Sequence, residues 1–217
     1  MPKCRLEAQA IPGLPVGWGH DRATRANAGV TLAWRPQVSL ASVMARKGQH
    51  DVVSRNVREA FGLSLPVSPM CVTDGTTALV WAGPGHWLAV TENDDPLTFE
   101  ARLRARLQGC ASICGQSDGR AIIRICGPKA RDALAKIVPI DLHPREFVSG
   151  HAAVTLAGHI GVHLWQIDAV PSYDIAVFRS LAAALWQWLI DSSLEFGLAV
   201  IEPEALNRAP RVPALGG

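Results

Sequence analysis

The stretch Ser117–Leu134, "SDGRAIIRICGPKARDAL", contains the signals that decide the fold. Its apolar run, Ala121 to Cys126, predicts a buried strand. The dipeptide Gly127-Pro128 follows, and then a segment whose apolar residues have helical spacing. A nucleotide-binding fold also begins with a strand, a glycine turn and a helix whose first amides hold a phosphate. The turn therefore either binds a phosphate or only joins a strand to a helix.

The residues of this turn favour a structural connection. A phosphate cradle needs several glycines and free amides at the start of the helix, and here there is one glycine. Pro128 has no amide hydrogen, although proline is common at the first position of a helix. The sequence therefore predicts a helix over residues 128–138, with an apolar face made of Ala130, Ala133, Leu134, Ile137 and Val138.

The composition is that of a globular chain with an ample core. The 217 residues are 48% hydrophobic, and a chain of this size buries roughly 70–75% of its unfolded surface, in one large domain or two small lobes. A formal charge of +2, without a basic cluster interleaved with aromatics, argues against a nucleic-acid partner. No apolar stretch reaches the roughly 20 residues of a membrane span, and no secretion signal is visible. Together with free thiols, this predicts a cytoplasmic protein.

The order of predicted elements repeats once along the chain. The first half contains the strand "GVTLAW", a helix over 51–62, a hairpin around Gly-Pro-Gly within 77–91, and a helix that begins near Pro96. The second half contains the strand "RAIIRIC", the helix over 128–138, a strand pair, the strand "SYDIAVF", and a helix over 180–196. Ser180 is its expected N-cap and Gly197 its stop.

This repetition predicts an α+β fold of two similar strand-helix-hairpin-helix lobes. The expected boundaries are 29–115 for the first lobe and 116–202 for the second. Residues 1–28 are expected to form an irregular arm and residues 203–217 a flexible tail.

Groups that could carry chemistry are few. The sequence contains no GxGxxG turn, no P-loop and no GxSxG elbow. Cys110 and Cys114 lie in a predicted loop, without further ligands at a zinc-like spacing. His159 and His163 fall in a glycine-flanked hairpin, where exposure is expected rather than a metal site, and Asp141 has no sign of a perturbed environment. We assign no catalytic, cofactor-binding or metal-binding residue from the sequence.

Several short motifs occur in a fixed order along the chain. The first set is Asp118-Gly119-Arg120, Gly127-Pro128, Ala130-Arg131, Leu134, Asp141-Leu142-His143-Pro144 and Phe147. The strings "LWQID", "YDIAVFRS" and "LWQWLIDSSLEFG" follow. Together these motifs resemble the gamma subunit family of heterotetrameric sarcosine oxidase, and the later strings are similar to that family's closing strands and helix. In "GPGHWLAV", Gly85-His86 stands where the family usually has an acidic pair, and the resemblance covers roughly residues 30–200.

The resemblance implies a fold like the folate-binding domain of the glycine-cleavage aminomethyltransferase (T-protein). It implies a complex that oxidises sarcosine to glycine, with partners named alpha, beta and delta. FAD, FMN, NAD, zinc and tetrahydrofolate would belong to those other subunits, and the gamma chain would hold none of them. Its role would be structural.

Two other functions fit the same residues. One is a free-standing folate-binding or folate-dependent protein that shares the fold, since fold does not settle function. The other is a gamma-like subunit of a related dehydrogenase that acts on another N-methyl amino acid.

The last helix has a narrow polar face. Gln187, Asp191 and Glu195 form a polar stripe only roughly 80° wide, which Trp188 and Leu181 border on one flank and Ile190 on the other. Either the chain's own loops cover these flanks or a partner does. The resemblance to an obligate subunit favours a partner interface that includes Trp188, Leu181 and Ile190.

Overall fold

A computed structural model describes residues 27–92 and 94–201. Its strands are β1 (Val30–Trp34), β2 (Ser39–Ala45), β3 (Cys71–Thr73), β4 (Thr77–Gly83), β5 (His86–Thr91), β6 (Ala111–Gly115), β7 (Arg120–Cys126), β8 (Ala152–Ala157), β9 (Ile160–Asp168), β10 (Ser172–Phe178) and β11 (Leu198–Ile201). Its helices are α1 (His50–Phe61), α2 (Pro96–Leu107), α3 (Ala130–Ala135) and α4 (Ala182–Ser193). Two 3₁₀ turns, Arg179–Leu181 and Leu194–Phe196, flank α4.

The strands form two sheets. Sheet A has the order β11-β1-β7-β10-β9-β8, and sheet B has the order β3-β4-β5-β2-β6. Neighbouring strands are antiparallel, apart from β1 and β11, which are parallel. The mixed α+β class expected from the sequence is confirmed.

Strand β7 shows how the sheets and helices are layered. Its odd-numbered residues Ala121, Ile123 and Ile125 pack in a cluster with α3 and α4, whereas Ile122 packs in a cluster with residues of sheet B. Both faces are buried because side chains alternate across a strand. A separate cluster joins sheet B to α1 and α2. The order of layers is therefore helices, sheet B, sheet A, helices.

Strand β1 does not stay with the half of the chain that contains it. It pairs with β7 and β11 in sheet A, although its residues fall within the expected first lobe, 29–115. The division between the sheets therefore differs from the expected boundary at residue 115. The expected second lobe, 116–202, supplies the rest of sheet A. Of the expected arm, 1–28, only residues 27 and 28 are described, and the expected tail, 203–217, lies outside the described residues.

Helices α1 and α2 begin and end close to where the sequence predicts. Gly62 ends α1 with φ of 68°, a left-handed conformation that suits glycine. The Asp95 side chain caps α2 by accepting from the amides of Leu97 and Thr98. The hairpin within 77–91 is also confirmed as β4 and β5.

Two helix boundaries differ from the prediction. Helix α3 begins at Ala130, so Pro128 lies in the preceding turn rather than at the first helical position. Ser180 is not an N-cap, because a 3₁₀ turn precedes α4 and no side chain caps it. Gly197 does end this helical region, with φ of 76°.

Candidate functional site

The turn at Gly127 is a structural connection. Gly127 has φ of 120°, and a Cβ atom added there would lie 2.6 Å from the carbonyl oxygen of Gly29. That carbonyl accepts a hydrogen bond from the Lys129 amide at 2.8 Å. The Lys129 amide, which a phosphate would need, is therefore already bonded to Gly29, the residue before β1. This bond holds the start of α3 against the start of β1.

The face of sheet A that meets sheet B contains a buried ionic cluster. The Asp174 carboxylate, on β10, accepts from Arg124 of β7 through Nε at 2.7 Å and Nη2 at 2.8 Å. Arg35, which follows β1, donates to the same carboxylate at 2.5 Å and also bonds Glu92. The cluster thus ties β1, β7 and β10 to the residue that follows β5 in sheet B.

The two guanidinium groups decide the charge state of Asp174. This side chain is almost fully buried, and burial alone would raise its pKa. The attraction and hydrogen bonds from Arg35 and Arg124 outweigh burial and hold the pKa of the carboxyl below its ordinary value. Asp174 is accordingly a paired anion in the core rather than a general base.

Sequence reasoning missed this cluster, although a signal for it exists. Arg124 interrupts the apolar run of β7, and Asp174 interrupts that of β10. A charged residue at a position whose neighbours are all buried needs an opposite charge close by. The register of β7 and β10 then places these two residues directly opposite each other.

Two of the three interface residues expected in and beside α4 lie at the surface. Trp188 is 44% exposed and Leu181, in the preceding 3₁₀ turn, is 40% exposed. Ile190 is 9% exposed and packs in the core cluster of sheet A, so it is not available to a partner. Ile190 lies on the buried face of α4 together with Leu189 and Trp186. This buried face is wider than the sequence pattern indicates.

The Trp188 ring also touches its own chain. It lies within contact distance of a Cβ built on Gly158, and it makes an edge contact with the His159 ring, with centroids 6.5 Å apart. Part of the ring therefore covers the turn between β8 and β9 of its own chain. Trp188 is still 44% exposed to solvent.

His159 and His163 do not converge on a shared ligand. His159 is exposed in the turn beside Trp188, whereas His163 is half-buried on β9 and accepts from Arg120 at 3.3 Å. Burial, with the nearby positive charge of Arg120, lowers the pKa of His163 to about 4. The expectation that His163 is exposed was wrong, because alternation along β9 points it toward sheet B.

The cysteines lie in different environments. Cys110 is buried in the cluster under α1 and α2, and Cys114 is exposed on β6, which is not a loop as expected. Burial raises the pKa of the Cys71 thiol to about 12, so this thiol is unreactive. Within residues 27–92 and 94–201, no three His, Cys, Asp or Glu side chains are grouped as metal ligands.

Asp141 takes part in a local turn. Its side chain is exposed and accepts from the His143 amide at 2.8 Å.

An open groove of about 470 Å³ lies where α2 meets β6. It is lined by Arg46, Arg104, Ala105, Gln108, Gly109, Ala111, Ser112 and Ile113. Arg104, one of these residues, is already paired with Glu100 at 2.6 Å. Among the described helices, none is long and apolar enough to cross a membrane.

Comparison with known proteins identifies the family. The family described as "Sarcosine oxidase, gamma subunit family" matches residues 48–195. This chain belongs to that family. The sarcosine oxidase subunit gamma of Corynebacterium sp. (strain U-96) is 30% identical over 172 residues, which cover 78% of this chain and 80% of that protein. The subunit gamma of an Arthrobacter species is 31% identical over 169 residues, which cover 76% and 79%.

Solved structures agree with the family and with the expected fold. A chain of the heterotetrameric sarcosine oxidase from Corynebacterium sp. U-96, in complex with pyrrole 2-carboxylate, has a TM-score of 0.71 and 28% identity, over 83% of this chain and 91% of that one. The glycine cleavage aminomethyltransferase T of Bartonella henselae has a TM-score of 0.56 and 16% identity, over 81% of this chain and 48% of that one. The second match shows the aminomethyltransferase-like fold alone.

Proposed function

We propose that this chain is the non-catalytic gamma subunit of a heterotetrameric sarcosine oxidase, a complex that oxidatively demethylates sarcosine to glycine. The observation that carries the proposal is the likeness to a chain of the heterotetrameric enzyme, which extends over 91% of that chain at 28% identity. Family membership over residues 48–195 supports the same role.

The interior of the chain fits a structural role. Asp174, the most deeply buried acid in the cluster between the sheets, is neutralised by Arg35 and Arg124. The Cys71 thiol is held protonated by burial, with a pKa of about 12. Neither group is poised to exchange a proton or attack a substrate near neutral pH.

The partners in this proposal are the alpha, beta and delta subunits of the same cytoplasmic oxidase. FAD, FMN, NAD, zinc and tetrahydrofolate are held by those subunits, and this chain contributes to assembly. Trp188 and Leu181 are its proposed contacts beside α4, since each retains a substantial exposed apolar surface. Ile190 is left out because it is buried in this chain.

Purification of the chain alone and with the other subunits tests the proposal. The isolated chain is expected to be folded, colourless and inactive on sarcosine. Co-expression with the other subunits is expected to yield a stable complex that contains this chain and oxidises sarcosine. Flavin absorbance or sarcosine oxidation by the isolated chain would contradict the proposal, and so would a fully assembled, active oxidase that excludes it.

A further inference from the structure

The rim of sheet A beyond its contact with sheet B is apolar and exposed. Ile122 and Ala176 are the last residues of β7 and β10 on this face that pack against sheet B. Two residues further toward the rim, on the same face, lie Arg120 of β7 and Phe178 of β10, which are directly paired. Phe178 is half exposed, so sheet B does not cover this row.

The same row continues across the neighbouring strands. Val177 pairs with Val162, which places Phe178 beside Gly161 of β9, and Gly161 pairs with Leu156 of β8. Leu156 and Val154, two residues apart on one face of β8, are each about half exposed. We call this surface the Phe178 patch; it consists of Val154, Leu156, Gly161, Phe178 and Arg120.

Gly161 makes a notch in the middle of the Phe178 patch. A Cβ atom built on Gly161 would meet no atom within 4 Å. The space above this glycine is therefore open between the side chains of Leu156 and Phe178. Such a notch between two apolar side chains can receive a side chain of another molecule.

Arg120 brings an unpaired positive charge to the patch. Its guanidinium carbon lies 4.4 Å from the centre of the Phe178 ring, and its Nη1 donates to His163. Its Nε is buried without a hydrogen-bond partner among the described residues, and no described carboxylate lies within ion-pair distance. This differs from Arg35 and Arg124, which share Asp174.

The environment of Arg120 is costly for a cation. Burial lowers the pKa of its guanidinium, which means that partial desolvation already disfavours the charged form. The neutral imidazole of His163 offers one lone pair and no negative charge. A carboxylate from outside the chain would offset this cost by pairing with the guanidinium.

We propose that the Phe178 patch is a docking surface for another subunit, whose segment inserts an apolar side chain above Gly161 and places a carboxylate on Arg120. The proposal rests on the proposed function, since the occupant is another subunit of the same oxidase. Charge complementarity with Arg120 favours an acidic residue in the partner segment. The exposed side chains of Val154, Leu156 and Phe178 favour apolar residues next to that acid. The patch adjoins Leu181, three residues after Phe178, so the sheet rim and the α4 flank can meet one partner.

Two substitutions test the patch in different ways. Arg120→Met removes the charge but keeps an aliphatic stem, and Gly161→Lys fills the notch with bulk and a second positive charge. Gly161 needs no left-handed backbone and has open space, so Gly161→Lys is compatible with the fold. Leu97→Lys is the matched control, because Leu97 is an apolar residue that is strongly exposed on α2.

The measurements are the melting temperature of each isolated chain and its affinity for the other subunits at low and high salt. We expect Arg120→Met to melt at the same or a higher temperature, yet to bind about tenfold or more weakly and with less dependence on salt. Gly161→Lys should also bind about tenfold or more weakly, and Leu97→Lys should bind like the unaltered chain.

Three results would overturn the inference. Unchanged affinity of either patch variant would remove this surface from the interface. A lower melting temperature of isolated Arg120→Met would show that the contacts of Arg120 within this chain already offset the cost of its charge, which removes the argument for an outside carboxylate. Failure of the unaltered chain to bind the other subunits would overturn the proposed function and this inference together, whereas equal binding by all variants would overturn this inference alone.

Discussion

Gly127 couples the start of α3 to the start of β1 through backbone alone. Its φ of 120° is open to glycine and strained for any residue with a Cβ atom. The close approach of the Gly29 carbonyl leaves no room for a side chain. Glycine is therefore needed at position 127 for the conformation of the backbone. In a nucleotide-binding fold, a glycine at this place would instead be needed for the approach of a ligand.

Gly127→Val is expected to lower the free energy of unfolding by about 2–4 kcal/mol, from backbone strain and from the clash with Gly29. Assembly with the other subunits should fall in proportion to the folded fraction. Gly161→Val is the matched control for stability alone, because Gly161 lies in the Phe178 patch. Its site has open space, so stability should be unchanged or slightly higher. Thermal and chemical denaturation of the isolated chains measure both effects. An unchanged Gly127→Val midpoint would contradict the structural role of this turn.

His163 makes the stability of the isolated chain depend on pH. Its pKa is about 4 in the folded chain, against the ordinary 6.5 when unfolded, so the unfolded state binds the extra proton between these values. Stability contributed by neutral His163 is complete above pH 6.5 and is lost as the pH falls toward 4. At pH 5 the loss is about 2 kcal/mol relative to neutral pH.

We therefore expect the fall in the free energy of unfolding between pH 8 and pH 5 to be about 2 kcal/mol smaller for His163→Gln than for the unaltered chain. Urea denaturation at several pH values measures this difference. His86→Gln, which removes an exposed histidine at the start of β5, controls for the loss of an imidazole. Parallel profiles for His163→Gln and the unaltered chain would show that His163 is not the titrating group.

Helix α4 combines a core face with an outward aromatic side chain. Leu185, Trp186 and Leu189 are buried as the helical pattern predicts, whereas Trp188 stays 44% exposed after packing on its own β8–β9 turn. A tryptophan that a partner buries at an interface is often an energetic anchor, worth roughly 2 kcal/mol or more on truncation.

Trp188→Glu is expected to leave the isolated chain folded by circular dichroism, with a modest loss of stability from the contact with Gly158. Its co-purification with the other subunits should weaken about tenfold or more, because a charge would replace the exposed ring. Leu97→Glu, at a strongly exposed apolar residue of α2, is the control. Unfolding of the isolated variant would place Trp188 in the core, and unchanged co-purification would remove it from the interface.

Elements with a strong local pattern could be predicted, and those defined by distant pairing could not. Helix α1 has a glycine stop, α2 has an aspartate cap followed by proline at its start, and both have an apolar face. The hairpin of β4 and β5 has its glycine turn. Strands β3, β6 and β11 are three to five residues long and exist only because another strand lies beside them. The ion cluster at Asp174 depends on sheet register, and local spacing does not reveal register.

The whole molecule is held together across the boundary that the repeat in the sequence predicts. Strand β1 comes from the first half and lies between β7 and β11 of the second. Arg35 then joins Asp174 of sheet A to Glu92, which follows β5 of sheet B. A shared apolar cluster, with Leu40, Leu88 and Ile122 among its members, fills the space between the sheets. Residues of both halves therefore form the core between the sheets.

This arrangement predicts one cooperative unfolding transition for the isolated chain. Far-UV circular dichroism and tryptophan fluorescence should report the same urea midpoint, because loss of either sheet exposes the cluster between them. Hydrogen exchange of peptides from α2 and α4 should show the same dependence on denaturant. A fragment that begins at residue 116 lacks β1, which leaves β7 and β11 without the strand between them, so it should not fold alone. Two separated transitions, or a folded fragment, would instead establish independent lobes and would assign the pairing of β1 a minor share of the stability.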